Sequence, residues 1–132
     1  MKINGFNITA WILILSIVGS CATVVTPSGG SRDLRPPQVE ESAPENYSIN
    51  FTAKKIEIKF DEFIKLQNIG KNVIISPPLT EKPTFLVKGK SLIIEFEEEL
   101  QPSTTYNFNL GNAIVDITEG NAIPNFQYVL ST

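Results

Sequence analysis

Histidine is absent from the 132-residue chain, and cysteine, methionine and tryptophan occur once each. The first absence removes the commonest general acid/base and the commonest metal ligand together. A single cysteine closes no intramolecular disulfide and cannot by itself form a zinc site. Charge is also sparse: 11 Lys plus Arg against 14 Asp plus Glu leave a net charge of −3. No basic footprint for nucleic acid follows from that balance, and no acidic tail. No nucleophile–base pair and no metal set can be assembled, so the sequence predicts a protein that is not an enzyme and needs no cofactor. What remains is a chain 42% hydrophobic, long enough for one domain with its own small core.

The hydrophobic residues are unevenly spread. Met1-Lys2 gives a basic start, and "AWILILSIVG" from Ala10 to Gly19 follows, almost wholly apolar. Ten helical residues rise only about 15 Å, against about 30 Å of bilayer hydrocarbon. The run is therefore short for a membrane span and suits the apolar region of a secretory signal over residues 1–20. A buried core helix would explain the apolar run, but neither the basic start nor the polar stretch that follows.

The lone thiol, Cys21, ends the stretch "VGSC". An aliphatic residue, two small residues and a cysteine resemble the lipobox of bacterial lipoproteins. That resemblance implies cleavage before Cys21 and lipidation of its thiol. A plain signal with a free thiol is the alternative, but an unpaired cysteine is a liability in an oxidising compartment. Several acyl chains, at about 0.8 kcal/mol per buried CH₂, would hold the protein to a membrane permanently. The residues after the cysteine, "ATVV", carry no acidic signal. The expected location is the outer membrane, on its periplasmic face.

Residues 21–47 hold four prolines (27, 36, 37, 44) and Gly29-Gly30, without helical or alternating period. They read as a flexible tether with a reach of roughly 25–30 Å. From residue 48 to 132 the period becomes two. "KIEIKF" sets Ile56, Ile58 and Phe60 on one face, and "SLIIEF", "TYNFNL" and "FQYVL" repeat the pattern. "NVIIS", "TFLVK" and "AIVDI" bring the expected strands to seven. Pro77-Pro78 must end the strand before it, since proline donates nothing to a ladder. Gly89 in "KGK", and Gly120 with Asn121 in "TEGNA", are the expected left-handed turn residues. The stretch 61–72 could hold one helical turn, but reads rather as a crossing connection with Phe63, Ile64 and Leu66 packed beneath it. Seven short strands punctuated in this way predict an all-β, antiparallel sandwich of the immunoglobulin/fibronectin kind. "LQPSTTY" adds a specific signal: Leu100, Pro102 and Tyr106 have the spacing of a tyrosine corner, where the hydroxyl bonds back to nearby backbone.

Three weaker site candidates remain. Asp61 (with Glu62), Asp116, Glu119 and Asn121 form an oxygen-rich set of the type that suits Ca²⁺; a turn shaped by Asp116 is the simpler reading. Glu97-Glu98-Glu99 reads as a solvated acidic turn. Tyr47, Phe51, Phe63, Phe85 and Tyr128 would form a glycan-stacking platform if exposed on one face.

Taken in order, "PSGGSRDLRPPQV", "NFTAKKIEIKFDEFIKL", "NVIISPPL", "KGKSLIIEFEEELQPSTTYNFNLGNAIVDITEGN" and "FQYVLST" are similar to the SbsA-type bacterial Ig-like domain found at the front of lipoproteins of the Bacteroidota. The resemblance implies an Ig-like sandwich behind a lipid anchor, with no catalytic activity in the domain. Its expected role is a periplasm-facing interaction or structural module, attached to the membrane through lipid and presenting a surface to another envelope protein. The alternatives are a glycan- or peptidoglycan-binding module, or the N-terminal fragment of a larger envelope lipoprotein, because proteins of this kind usually continue past the closing Ser-Thr.

Overall fold

The computed structural model describes residues 29–132. The signal segment 1–20, the cysteine at 21 and the first part of the tether lie outside the described residues. Residues 29–31 carry no regular structure, and a compact body runs from Arg32 to Thr132.

Nine strands and one helical turn make up that body. They are β1 (Val39–Ala43), β2 (Lys55–Phe60), β3 (Ile64–Leu66), α1 (Ile69–Asn72), β4 (Ile74–Ser76), β5 (Thr84–Lys88), β6 (Ser91–Glu95), β7 (Thr105–Gly111), β8 (Ile114–Asp116) and β9 (Phe126–Ser131). One sheet has the order β1-β2-β6-β5 and a second has β4-β7-β9, all antiparallel. Four strands facing three in this order is the arrangement of a constant-type immunoglobulin sandwich. A two-stranded ribbon, β3-β8, lies outside both sheets.

Alternation builds the core. Ile56, Ile58 and Phe60 of β2 and Leu92 and Ile94 of β6 are buried from one side. Tyr106, Phe108 and Leu110 of β7 and Tyr128 and Leu130 of β9 are buried from the other. Aromatic rings join the two sides: Phe96 lies 5.6 Å from Phe108 and Phe60 lies 6.1 Å from Phe126, centroid to centroid. Such pairs add to the area term the directional preference of ring quadrupoles.

The structure differs from the sequence reading in four places. Residues 39–43, within the stretch read as tether, form β1. Its sequence, VEESA, has no apolar alternation, because an edge strand with both faces wet needs none; it is held by its ladder to β2. The connection 61–72 contains a strand, β3, beside the helical turn α1 that the sequence allowed. Phe63, expected in the core, is 58% exposed, while Ile64 is buried. Asn121 is not left-handed; in that turn the positive φ belongs to Gly120 alone (φ 81°).

One side of the sandwich is closed by the chain itself. After β1 the segment 46–51 crosses to the other sheet and runs along the free edge of β9. The Tyr47 amide donates to the Val129 carbonyl at 2.7 Å, Ser131 to Ser48 at 2.9 Å, and Phe51 to Ser131 at 2.9 Å. Ser48 pairs with Leu130 in a parallel bridge. The Asn46 side chain, itself a mimic of backbone, accepts from the Val129 amide at 2.8 Å. The hydroxyl of Tyr128 donates to the Pro44 carbonyl, tying the crossing point to β9. Covering an edge in this way satisfies its orphan amides and blocks strand addition there.

Candidate functional site

Tyr106 stands at the start of β7, 1% exposed, with its ring stacked 6.3 Å from Phe108. Its hydroxyl reaches back five residues and accepts from the Gln101 amide at 3.0 Å. Leu100 packs half-buried against the core, and Pro102 turns the chain between them. Ser103 takes a left-handed φ of 53° inside this turn. The Tyr106 hydrogen bond and the packing of Leu100 therefore pin the crossing from β6 to β7, with Pro102 exposed at the turn. Thr132 closes the same end: its amide donates to the Thr104 carbonyl at 3.0 Å, and its hydroxyl to the Gln101 carbonyl at 2.6 Å.

The oxygen-rich set lies at the opposite end. Asp116 ends β8 and is fully buried. Its Oδ1 accepts from the amides of Glu119 (2.6 Å) and Gly120 (2.8 Å), and its Oδ2 from the amide of Asn121 (2.7 Å). Burial alone would push this carboxyl up. The amides of Gly120, Glu119, Asn121 and Thr118 outweigh it and hold the group below the ordinary carboxylate value of 3.8. Asp61 accepts from the Gln38 amide at 2.8 Å. Asn121 turns its Nδ2 to the carbonyls of Asp33 (3.1 Å) and Arg35 (3.2 Å). Arg32 donates to the Glu119 carbonyl at 3.1 Å.

These bonds commit the set to architecture. Both oxygens of Asp116 are engaged by backbone amides, and Asn121 presents donors rather than its oxygen to its neighbours. Among the described residues no three acidic side chains converge as metal ligands. Glu62 shows the electrostatic consequence of crowding. Burial first, then repulsion from Asp116, Asp61, Asp33 and Glu119, pushes its carboxyl above the usual range. Separate bonds from Arg32, Asn121 and Asp61 fasten residues 32–38 at this end, so the folded body begins here.

Glu98, in the acidic run before the corner, accepts from the amides of Thr80 (2.6 Å) and Glu81 (3.0 Å). It fixes the loop between β4 and β5. The five candidate aromatics are not gathered on one face. Phe51 and Tyr128 are buried, Phe85 is half-buried, and Tyr47 and Phe63 are exposed. Phe51 and Phe96 meet edge to face at 6.0 Å, as core rings do. Tyr47 sits beside β9 with a left-handed φ of 66°. Phe63 lies at the β5–β6 turn, where the Lys90 ammonium is 5.8 Å from its centroid. A groove of about 440 Å³ opens on the unclosed side, between the free edges of β4 and β5, lined chiefly by Val73, Ile75, Leu79, Pro83 and Phe85. Spacing does not reveal it, since it is formed by strands from different sheets.

Comparison with family models agrees with this architecture. The family model described as "Bacterial Ig-like domain" matches residues 33–132. Among curated proteins none matches at a significant level. Among solved structures, an L,D-transpeptidase from Mycobacterium smegmatis is 13% identical with a TM-score of 0.48, over 74% of this chain and 40% of that one. PcoC, a methionine-rich copper resistance protein from Escherichia coli, is 20% identical with a TM-score of 0.48, over 71% of this chain and 95% of that one. The chain thus spans about 40% of the length of the transpeptidase it resembles.

Proposed function

Since the chain belongs to the bacterial Ig-like domain family, we propose that it is a lipid-anchored module of the bacterial cell envelope with an interaction or structural role. The anchoring half of this reading is carried by one observation, the Val18-Gly19-Ser20-Cys21 sequence after an apolar run too short to span a bilayer. The module half is supported by a sandwich whose polar side chains are spent on turns and crossings: Asp116, Asn46, Glu98 and Tyr106 each hold backbone. The chemistry that survives is shape, sheet edges and loop ends, which is the repertoire of a binding or spacing domain rather than a catalyst. The subtype is the SbsA-like one of Bacteroidota lipoproteins, and the site of action is the periplasmic face of the outer membrane.

Metabolic labelling with radioactive palmitate tests the anchor. The full chain takes up label and partitions with membranes, and Cys21→Ser abolishes both. Equal labelling or equal membrane partition of the variant refutes the reading. A glycan-binding role is favoured by one observation only, the exposure of Tyr47 on a backbone conformation uncommon for a bulky residue. Retention of the protein on a peptidoglycan column, lost in Tyr47→Ala, is the outcome that role requires.

A further inference from the structure

Three large apolar side chains stand exposed at the end of the sandwich where the folded body begins: Leu34 (75%), Phe63 (58%) and Ile117 (51%). Single exposed apolar residues are ordinary on any surface. The backbone pairs Phe63 with Ile117, and Leu34 is fastened to the turn that follows Ile117. The Ile117 amide donates to the Phe63 carbonyl at 3.1 Å, one step beyond the Ile64↔Asp116 pair of β3 and β8. Phe63 and Ile117 thus face each other across an antiparallel ribbon and point to the same side. Leu34 is flanked by the two carbonyls that the Asn121 side chain holds. The Phe63 ring also lies against the β5–β6 turn, close enough that a Cβ at Gly89 would sit 3.6 Å from it.

This is also the end to which residue 21 is joined. Arg32 is fastened to the Glu119 carbonyl, and Pro37 behind it is buried. Only ten residues, 22–31, lie between Cys21 and Arg32. Whatever their conformation, the eleven Cα-to-Cα steps from Cys21 to Arg32 reach at most about 40 Å, against about 94 Å for the 26 steps of a tether extending to residue 47. The opposite end, with Thr104 and Thr132, faces away from the point of attachment. Charge around the apolar trio is nearly balanced. Asp33, Asp61, Glu62 and Glu119 stand with Arg32, Arg35 and Lys90, and Asp33 pairs with Arg35 at 3.4 Å. Such a rim gives no strong attraction to an anionic lipid, and apolar insertion is left as the driving term.

We propose that the Leu34, Phe63 and Ile117 end of the sandwich rests on the lipid surface that holds the anchor, with Phe63 and Ile117 seated among the headgroups of a zwitterionic bilayer. The inference rests on lipidation at Cys21 as proposed above. It makes the domain a post of fixed polarity, with the tyrosine-corner end turned outward.

Depth-dependent fluorescence quenching tests it on the lipidated protein. The only tryptophan is Trp11, which lies in the signal removed before Cys21, so the lipidated protein has no indole of its own and one can be placed at a chosen position. Phe63→Trp and, as a control on the side of the sandwich, Tyr47→Trp are each reconstituted in phosphatidylcholine vesicles with brominated acyl chains, and flotation is scored on the same samples. The expected result is flotation of both, with a blue shift and loss of most emission for Phe63→Trp alone. Adding Ile117→Asp to Phe63→Trp returns its emission to the control level. Flotation with equal, unquenched emission at both positions overturns the inference and leaves the anchor standing. A blue shift at position 63 without bromine quenching means that protein, such as a second copy of the chain, covers this end, and also overturns it. Failure to float removes the anchor, and the inference with it.

Discussion

Replacing Asp116 by alanine removes one acceptor group and strands three donors. The amides of Glu119, Gly120 and Asn121 point at its two oxygens from 2.6–2.8 Å, and the residue is fully buried. A hydrogen bond to a charged acceptor contributes about 1.5–3 kcal/mol net. Three such bonds do not add in full, because the 118–121 turn is open to water on its outer side and the freed amides regain solvent there. A loss of about 3–4 kcal/mol follows, or roughly 15–25 °C in Tm for a body of this size. Asp116→Asn keeps one oxygen for Glu119 and Gly120 and gives up the bond to Asn121, so about half that loss is expected. The pH dependence has a definite sign. The folded carboxyl titrates below its unfolded value of 3.8. The unfolded chain therefore takes up the proton first as pH falls. The stability that ionised Asp116 contributes is complete above pH 3.8 and disappears as pH falls through the folded value. Urea titrations of the purified protein at pH 7 and pH 2 measure this directly. The gap between wild type and Asp116→Asn should be wide at pH 7 and smaller at pH 2, below the unfolded value of 3.8. An Asp116→Ala variant within about 0.5 kcal/mol of wild type at pH 7, the range of ordinary surface changes, refutes the account of the turn. So does a gap that widens in acid.

Two further outcomes follow from the corner and from one glycine. Tyr106→Phe keeps the stacked ring and deletes the bond from the Gln101 amide; a loss of about 1–2 kcal/mol is expected by thermal or urea unfolding, and an unchanged midpoint would show that the corner is packing alone. Gly111 has a φ of 53°, and a Cβ there would meet the Asn72 carbonyl oxygen at 3.1 Å, whereas Gly120 at φ 81° has open space around it. Gly120→Ala should cost about 1–2 kcal/mol for the left-handed backbone, and Gly111→Ala more, because β7 and the α1 turn must also part; equal losses would contradict the close approach.

Period-two alternation settled most of the body before any contact was known. In β2, β6, β7 and β9 every second residue is apolar, so any pairing that buries that face must place Ile58, Leu92, Phe108 and Tyr128 inside. Proline after Ser76 and glycine at 89 and 120 fixed where strands stop, because donor loss and positive φ are local properties. The Leu100-Pro102-Tyr106 spacing was legible for the same reason: it lies within a few consecutive residues. The rest was decided by tertiary structure. Strand β1 carries no pattern, since a wet edge strand is specified by the ladder of its neighbour. Phe63 looks like core and stands in solvent, because β3 pairs with β8 outside the two sheets and turns that face outward. The oxygen-rich set at Asp61, Asp116, Glu119 and Asn121 has the composition of a cation site, but the amides that occupy Asp116 come from backbone, which composition cannot display. The apolar end near Arg32 joins residues 34, 63 and 117, distant in sequence and united only when the chain closes on itself.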